Sequence, residues 1–146
     1  MSDAIVQVSS EEALEKVTRH GFTFVDVRTE AEFADGHPAG AFNVPFMLPS
    51  GASATMSPNP DFLRVMRERF APDAKLVLGC RSGQRSLRAA RALAEAGFTA
   101  VVNQRAGWAG VRSPFGEVTE KGWEALGLPS ESGAPAGRAY ADLKIT

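Results

Sequence analysis

The stretch "GCRSGQRS", residues 79–86, gathers the side chains best able to do chemistry. It holds Cys80, the only cysteine of the chain, followed by Arg81, Ser82, Gly83, Gln84, Arg85 and Ser86. Cysteine attacks as a thiolate, so a reactive Cys80 needs surroundings that favour negative charge on sulfur. Two local features would provide them. The residues after the loop predict a helix, whose unpaired first N–H groups carry partial positive charge. Arg81 and Arg85 add permanent cationic charge. Gly83 allows the tight path on which successive amides can face an anion. Many lone cysteines are buried and inert; this neighbourhood predicts a nucleophile.

Spacing indicates which anion the loop would hold. Cysteine phosphatases place five residues between cysteine and a phosphate-clamping arginine that precedes Ser or Thr. Here four residues, 81–84, separate Cys80 from Arg85. A ring of amides closed by the shorter loop fits a single terminal sulfur better than a tetrahedral phosphate. The residues alone therefore predict sulfur chemistry at Cys80, with 81–86 as the binding loop.

The elements around the loop must place it. "AKLVLG" (74–79) is an apolar run of strand length that delivers Cys80, and "QRSLRAARALAEAG" (84–97) is the helix that follows. Upstream, "AIVQV" (4–8), "FTFVDV" (22–27) and "GAFNVP" (40–45) read as strands, and "TAVVN" (99–103) as a fifth. Ser9 with Glu12 forms a capping-box pattern before one helix, and Thr29 reads as the N-cap of a short helix that stops at Gly36. Pro60 is placed as the first residue of a helix over "DFLRVMRERF". Residues 46–60 read as irregular, "VTEKGWEALG" (118–127) as a helix, and the tail from Leu128 as loosely ordered apart from its apolar residues. Strands alternating with helices predict an α/β fold, a mainly parallel sheet covered on both faces. Ligands of such sheets sit at the carboxyl ends of strands, where Cys80 lies.

Composition narrows the function classes. A length of 146 residues with 44% apolar and 23% charged residues suits one globular domain, read over residues 1–128, with 129–146 as a C-terminal extension, packed or partly flexible. The net charge of −1 gives no pull toward nucleic acid or an anionic membrane, and no apolar run approaches the ~20 residues of a membrane span. The N-terminus lacks a signal-peptide pattern, so a cytoplasmic location is expected. One cysteine and two histidines (His20 and His37) show no metal-ligand spacing, and no second cysteine can resolve a disulfide within the chain.

The chain resembles the rhodanese (sulfurtransferase) family. The loop matches the family's Cys-x-x-Gly-x-[Arg/Ser]-Ser pattern. "FVDVRTEAEFADGHPAGAFNVP" (24–45) looks like its upstream signature of Asp-x-Arg, Glu-[Phe/Tyr], Gly-His, Gly-Ala and Asn-[Ile/Val]-Pro. The likeness runs over about residues 5–128 and is greatest to plant and cyanobacterial single-domain thiosulfate sulfurtransferases of the senescence-associated type. One departure is "RAGW", where the family often has Gly-Gly-aromatic and this chain has Ala106. The resemblance implies a five-stranded, mainly parallel sheet with helices on both faces. It implies a Cys80 persulfide that takes sulfur from a donor such as thiosulfate and gives it to cyanide or a thiol. It implies no metal or organic cofactor.

Other residues are weighed on their own. Asp26 and Arg28 read as a supporting pair near the loop, His37 as a turn residue, and Trp108 and Trp123 as core or rim packing. Arg81, Arg85 and Arg88 share a helix-like spacing that could dock a sulfur-accepting protein. The rival to an enzyme is a sulfur-carrier or redox-sensing binding module with little thiosulfate turnover. A phosphatase or arsenate reductase is disfavoured by the short loop and the missing resolving cysteine.

Overall fold

The computed structural model describes residues 4–50 and 55–145. The first half runs β1 (Val6–Val8), α1 (Ser10–Arg19), β2 (Thr23–Asp26), α2 (Glu30–Asp35), β3 (His37–Pro38) and β4 (Phe42–Asn43). A β5–β6 hairpin (Met47–Pro49 and Met56–Pro58) then leads to α3 (Phe62–Arg69) and β7 (Leu76–Gly79). After the Cys80 loop come α4 (Gln84–Glu95), β8 (Val101–Gln104), β9 (Val111–Arg112), β10 (Val118–Glu120), β11 (Ser130–Glu131) and α5 (Tyr140–Leu143).

Five strands pair in parallel in the order β1-β8-β7-β2-β4, as the alternation of strands and helices predicts. Central strand β7 is buried at every residue, which a parallel sheet covered on both faces requires. Its side chains alternate between two cores. Leu76 and Leu78 pack with Val65 and Met66 of α3, Ala90 and Leu93 of α4, and Tyr140 and Leu143 of α5. Val77 packs on the other side with Ala13 of α1, Phe33 of α2 and Trp123. Both predicted N-caps form. Ser9 accepts from the Glu12 N–H at 3.0 Å while Glu12 accepts from the Ser9 N–H at 2.7 Å, and Thr29 and Glu32 make the same reciprocal pair.

Register brings the strand ends together. Asp26 of β2 lies opposite Gly79 of β7, and Leu78 of β7 opposite Asn103 of β8. The carboxyl ends of three neighbouring strands therefore converge on Cys80, the edge where such sheets hold ligands.

Four local expectations differ from the structure. Residues 46–60 contain the β5–β6 hairpin; residues 51–54 of that stretch lie outside the described residues. Helix α3 starts at Phe62, beyond Pro60, because Asn59 makes a turn of its own in which its Oδ1 accepts the Asp61 N–H at 3.0 Å. Residues 118–127 form no helix: β10 pairs back on β9, and Gly122 packs its backbone against Gly110 and Trp108, leaving no room for a side chain. The tail is tied down. Strand β11 pairs with β3, Tyr140 and Leu143 are in the core, and Arg69 donates to the carbonyls of Asp142, Leu143 and Ile145 at and beyond the end of α5.

Candidate active site

Helix α4 starts abruptly after Cys80, and this makes the site. Gly83, its N-cap, has φ +93°, a left-handed conformation that reverses the chain within three residues of the cysteine. The turn folds N–H groups back onto sulfur. Cys80 Sγ accepts from the Gly83 N–H at 3.1 Å, the Ser86 N–H at 3.3 Å and the Ser86 hydroxyl at 3.3 Å. The Ser86 hydroxyl has one proton and an alternative acceptor, the Gly83 carbonyl at 3.3 Å. The N–H groups of Arg81, Ser82, Gln84 and Arg85 have no acceptor among the described residues. For Gln84 and Arg85 this is the ordinary state of a first helical turn. Cys80 itself is 3% exposed, so these donors surround a sulfur largely shielded from water.

The turn after β8 braces the loop backbone to backbone. Trp108 N–H donates to the Cys80 carbonyl and Ala109 N–H to the Arg81 carbonyl, both at 2.8 Å. A Cβ on Gly83 would collide with the Arg105 carbonyl, and one on Gly107 with the Arg81 carbonyl. Gly107 also takes φ +68°, whereas Ala106 is fully buried with no left-handed backbone, so alanine fits in "RAGW". Asn103 of β8 donates to the Gly83 carbonyl at 3.3 Å from the sheet side.

Asp26 and Arg28 form a fully buried pair. Arg28 Nε donates to both Asp26 oxygens at 3.0 and 3.1 Å, and Nη2 reaches Oδ2 at 2.7 Å and the Gly36 carbonyl at 2.6 Å. The guanidinium also lies over the Trp108 ring at 5.2 Å. The pair thus ties the end of β2 to the end of α2 and to the turn under the loop. Asn43 completes the joint, donating to the Asp26 and Arg28 carbonyls at 3.0 and 2.9 Å.

Arg81, Arg85 and Arg88 go to different places. Arg85 grips Glu32 with two hydrogen bonds, at 2.8 and 3.0 Å. Burial by itself would raise the Glu32 carboxyl; hydrogen bonds from Arg85 and Thr29, with the charges of Arg85 and Arg28, instead lower it to about 2. Burial likewise works against the Arg85 charge, but Glu32 outweighs it and holds the guanidinium above its ordinary value, with Cys80 and Asp26 adding to the effect. Arg88 lies over Phe46 at 5.6 Å and donates to Met47 Sδ at 3.3 Å on the β5–β6 hairpin. Only Arg81 of the three turns to an open cleft of about 390 Å³, lined by Arg81, Ser82, Gln84 and residues 109–112.

His37 is fully buried, stacked on Phe33 at 3.6 Å, with Nδ1 at 2.6 Å from the Phe33 carbonyl and Nε2 at 3.1 Å from Glu131. Both ring nitrogens are occupied. Trp123 is core, its indole N–H donating to the Pro129 carbonyl at 2.9 Å. Two residues of the site, Asn103 and Arg112, escape a reading of the sequence, since nothing local marks them. Glu32 shows there only within the Glu-Phe pair of the upstream signature, and Gly107 only within "RAGW", neither with the role it has here. Among the described residues no group of acidic, histidine and cysteine side chains could hold a metal ion, and no helix is long and apolar enough to cross a membrane.

The profile of the rhodanese-like domain matches residues 9–113. "Thiosulfate sulfurtransferase 16, chloroplastic" of Arabidopsis thaliana is 39% identical over 112 residues, spanning 77% of this chain and 82% of the relative. "Senescence-associated protein DIN1" of Raphanus sativus is 41% identical over 93 residues, 64% of this chain and 50% of the relative, so the chain spans about half that protein. Among solved structures, the crystal structure of Rv0390 from M. tuberculosis superposes with a TM-score of 0.72 at 29% identity, covering 90% of this chain and all of that one. The match of profile, relatives and fold, centred on a cysteine loop at the sheet's carboxyl edge, shows that this chain belongs to the rhodanese-like domain family.

Proposed function

We propose that the protein is a sulfurtransferase that moves sulfane sulfur from a donor such as thiosulfate to cyanide or a thiol through a persulfide on Cys80. The observation that carries this reading is the set of donors on Sγ, the Gly83 and Ser86 N–H groups and the Ser86 hydroxyl, in a loop whose other N–H groups have no acceptor among the described residues. Such donors stabilise charge that develops on sulfur, and in a site shielded from water they act more strongly than in bulk water. The Cys80 thiolate attacks the outer sulfur of thiosulfate. The new Sγ–S bond forms as the S–S bond of the donor breaks, and sulfite leaves with the electron pair. The terminal persulfide sulfur, carrying the negative charge, then lies among the amides of residues 81–86. An acceptor takes that sulfur, and the electron pair returns to Sγ.

Within this reading Arg85 is held by Glu32, so it shapes the loop and lends it charge, while Arg81 is the guanidinium free to meet an incoming anion at the rim. Asp26 and Arg28 position the loop from below. A thiol-rich compartment such as the cytoplasm would supply the acceptor. The named sulfurtransferase relatives support the same activity.

The test is steady-state thiocyanate formation from thiosulfate and cyanide, with an aryl phosphate assayed alongside. Turnover with thiosulfate, lost in Cys80→Ser and absent with the phosphate, is the expected result. A protein that takes up sulfur but does not turn over would be a carrier module, and hydrolysis of the phosphate would sink the sulfur assignment.

A further inference from the structure

We infer that the cleft between the Cys80 loop and the β9–β10 hairpin seats the carboxylates of a small acidic thiol, the sulfur acceptor, and that Arg112 is a specificity-determining residue for it. The inference rests on the persulfide reading above.

The cleft has one wall from the loop (Arg81, Ser82, Gln84) and one from residues 109–112. Both walls carry a guanidinium and neither carries a carboxylate. Arg112 donates once, from Nη1 to the Gly116 carbonyl at 3.0 Å across its own hairpin, and its Nε and Nη2 have no acceptor among the described residues. The Arg81 guanidinium has no hydrogen-bond or ion-pair partner among the described residues. Arg28, Arg64, Arg85, Arg105 and Arg138 are each ion-paired, whereas Arg81 and Arg112 make no ion pair among the described residues. Two unpaired guanidinium groups facing one cleft form a site for anionic oxygens, and their planar donor forks suit carboxylates.

Size assigns the anion to the acceptor. A volume of about 390 Å³ lies in the range of small-molecule sites, roughly 300–1,000 Å³. It equals roughly a dozen waters at ~30 Å³ each, more than thiosulfate needs. Cyanide, only two atoms long, is too small to meet both arginines. A thiol with one or two carboxylates would place its acids between Arg81 and Arg112 and its sulfur toward the loop. As its thiol proton passes to the persulfide anion, its thiolate attacks the outer sulfur. A new S–S bond forms, the bond to Cys80 Sγ breaks, and the electron pair stays on Sγ as thiolate. The proton leaves on the product hydropersulfide.

The experiment separates the two half-reactions. The protein is loaded with thiosulfate, freed of excess donor, and mixed with mercaptosuccinate, mercaptoacetate or 2-mercaptoethanol, which carry two, one and no carboxylates. Discharge is timed by intact mass and expressed per thiolate. The wild type should discharge fastest to mercaptosuccinate. Arg112→Gln should lower the ratio of mercaptosuccinate to mercaptoethanol rates about five- to tenfold. Arg112→Lys keeps the charge and should keep most of the ratio, and circular dichroism checks both folds. An unchanged ratio in Arg112→Gln, or a loss in Arg112→Lys as large as in Arg112→Gln, would overturn the inference while leaving the persulfide in place. Failure of the wild type to load at all would instead overturn the underlying reading, and this inference with it.

Discussion

The Cys80 loop and the C-terminal latch are built from the same kinds of group with opposite outcomes. In the latch, Glu131 accepts from the Arg138 guanidinium at 2.6 Å and the Gly40 N–H at 3.0 Å, and lies 3.1 Å from His37 Nε2. Arg138 also reaches the Ala41 carbonyl at 3.0 Å, so the donors and acceptors there answer one another. In the loop, two N–H groups and a hydroxyl meet one sulfur, and neighbouring N–H groups have no acceptor among the described residues. Satisfied groups hold a fold; donors that meet at one atom stabilise charge that appears there. The difference separates what keeps this molecule together from what it does.

Breaking the latch side should give the largest change in stability. Ending the chain after Leu128 would strip Tyr140 and Leu143 from the core and Glu131 from His37. Burial of the two side chains alone contributes about 3–6 kcal/mol, a large share of an ordinary domain's stability. Urea unfolding should show the truncated chain largely unfolded or close to it. A midpoint equal to that of the full chain would mean that the latch is ornamental.

Breaking the loop side should reverse the pattern. Gly83→Ala puts a Cβ against the Arg105 carbonyl at φ +93°, so the turn must shift and the donors lose their aim. Sulfurtransferase turnover should fall roughly 100-fold or more, the scale of losing an oriented oxyanion donor, while circular dichroism remains that of a folded α/β domain. Turnover within a factor of two of the wild type would show that the aim of these amides is unimportant.

These two regions differ in how far the sequence reveals them. Cys80, Gly83 and the start of α4 are contiguous, so the local signals of a cysteine, a glycine and a helix N-terminus coincide in "GCRSGQRS". The sheet was equally readable, because apolar runs such as "LVLG" and the Ser9–Glu12 and Thr29–Glu32 caps are local. What was hidden depends on distant partners. Glu32 meets Arg85 across 53 residues, and His37 meets Glu131 across 94. The stretch 118–127 carries apolar residues at helix-like intervals, and Gly122 within it was the sign that backbone packing, not a helix, occupies that place.

Acid probes both regions at once. The Glu131 carboxyl is lowered to about 2, chiefly by the hydrogen bond from Arg138 and against the effect of burial, and Glu32 is lowered to about 2 beside the loop. Each value lies below the ordinary 4.5, so each charge contributes stability in full above about 4.5 and loses it as pH falls toward about 2. Urea midpoints should drop across that window, and Glu131→Gln should shallow the drop without abolishing it. A wild-type midpoint that is flat through the window would contradict the assigned pairs.

A smaller effect sharpens the loop side. Ser86→Ala removes the hydroxyl donor to Sγ but keeps the backbone N–H, so turnover should fall only about five- to tenfold, near 1 kcal/mol of lost hydrogen bonding. A loss as deep as that of Gly83→Ala would mean that the hydroxyl, and not the ring of amides, holds the sulfur.

The central claim is that the open donors exist to hold a second sulfur on Cys80, and intact mass measures this directly. Incubated with thiosulfate and no acceptor, the wild type should become heavier by one sulfur atom, and a thiol should remove it. Cys80→Ser should gain nothing. A wild type that never gains the sulfur, or a serine variant that still does, would contradict the account.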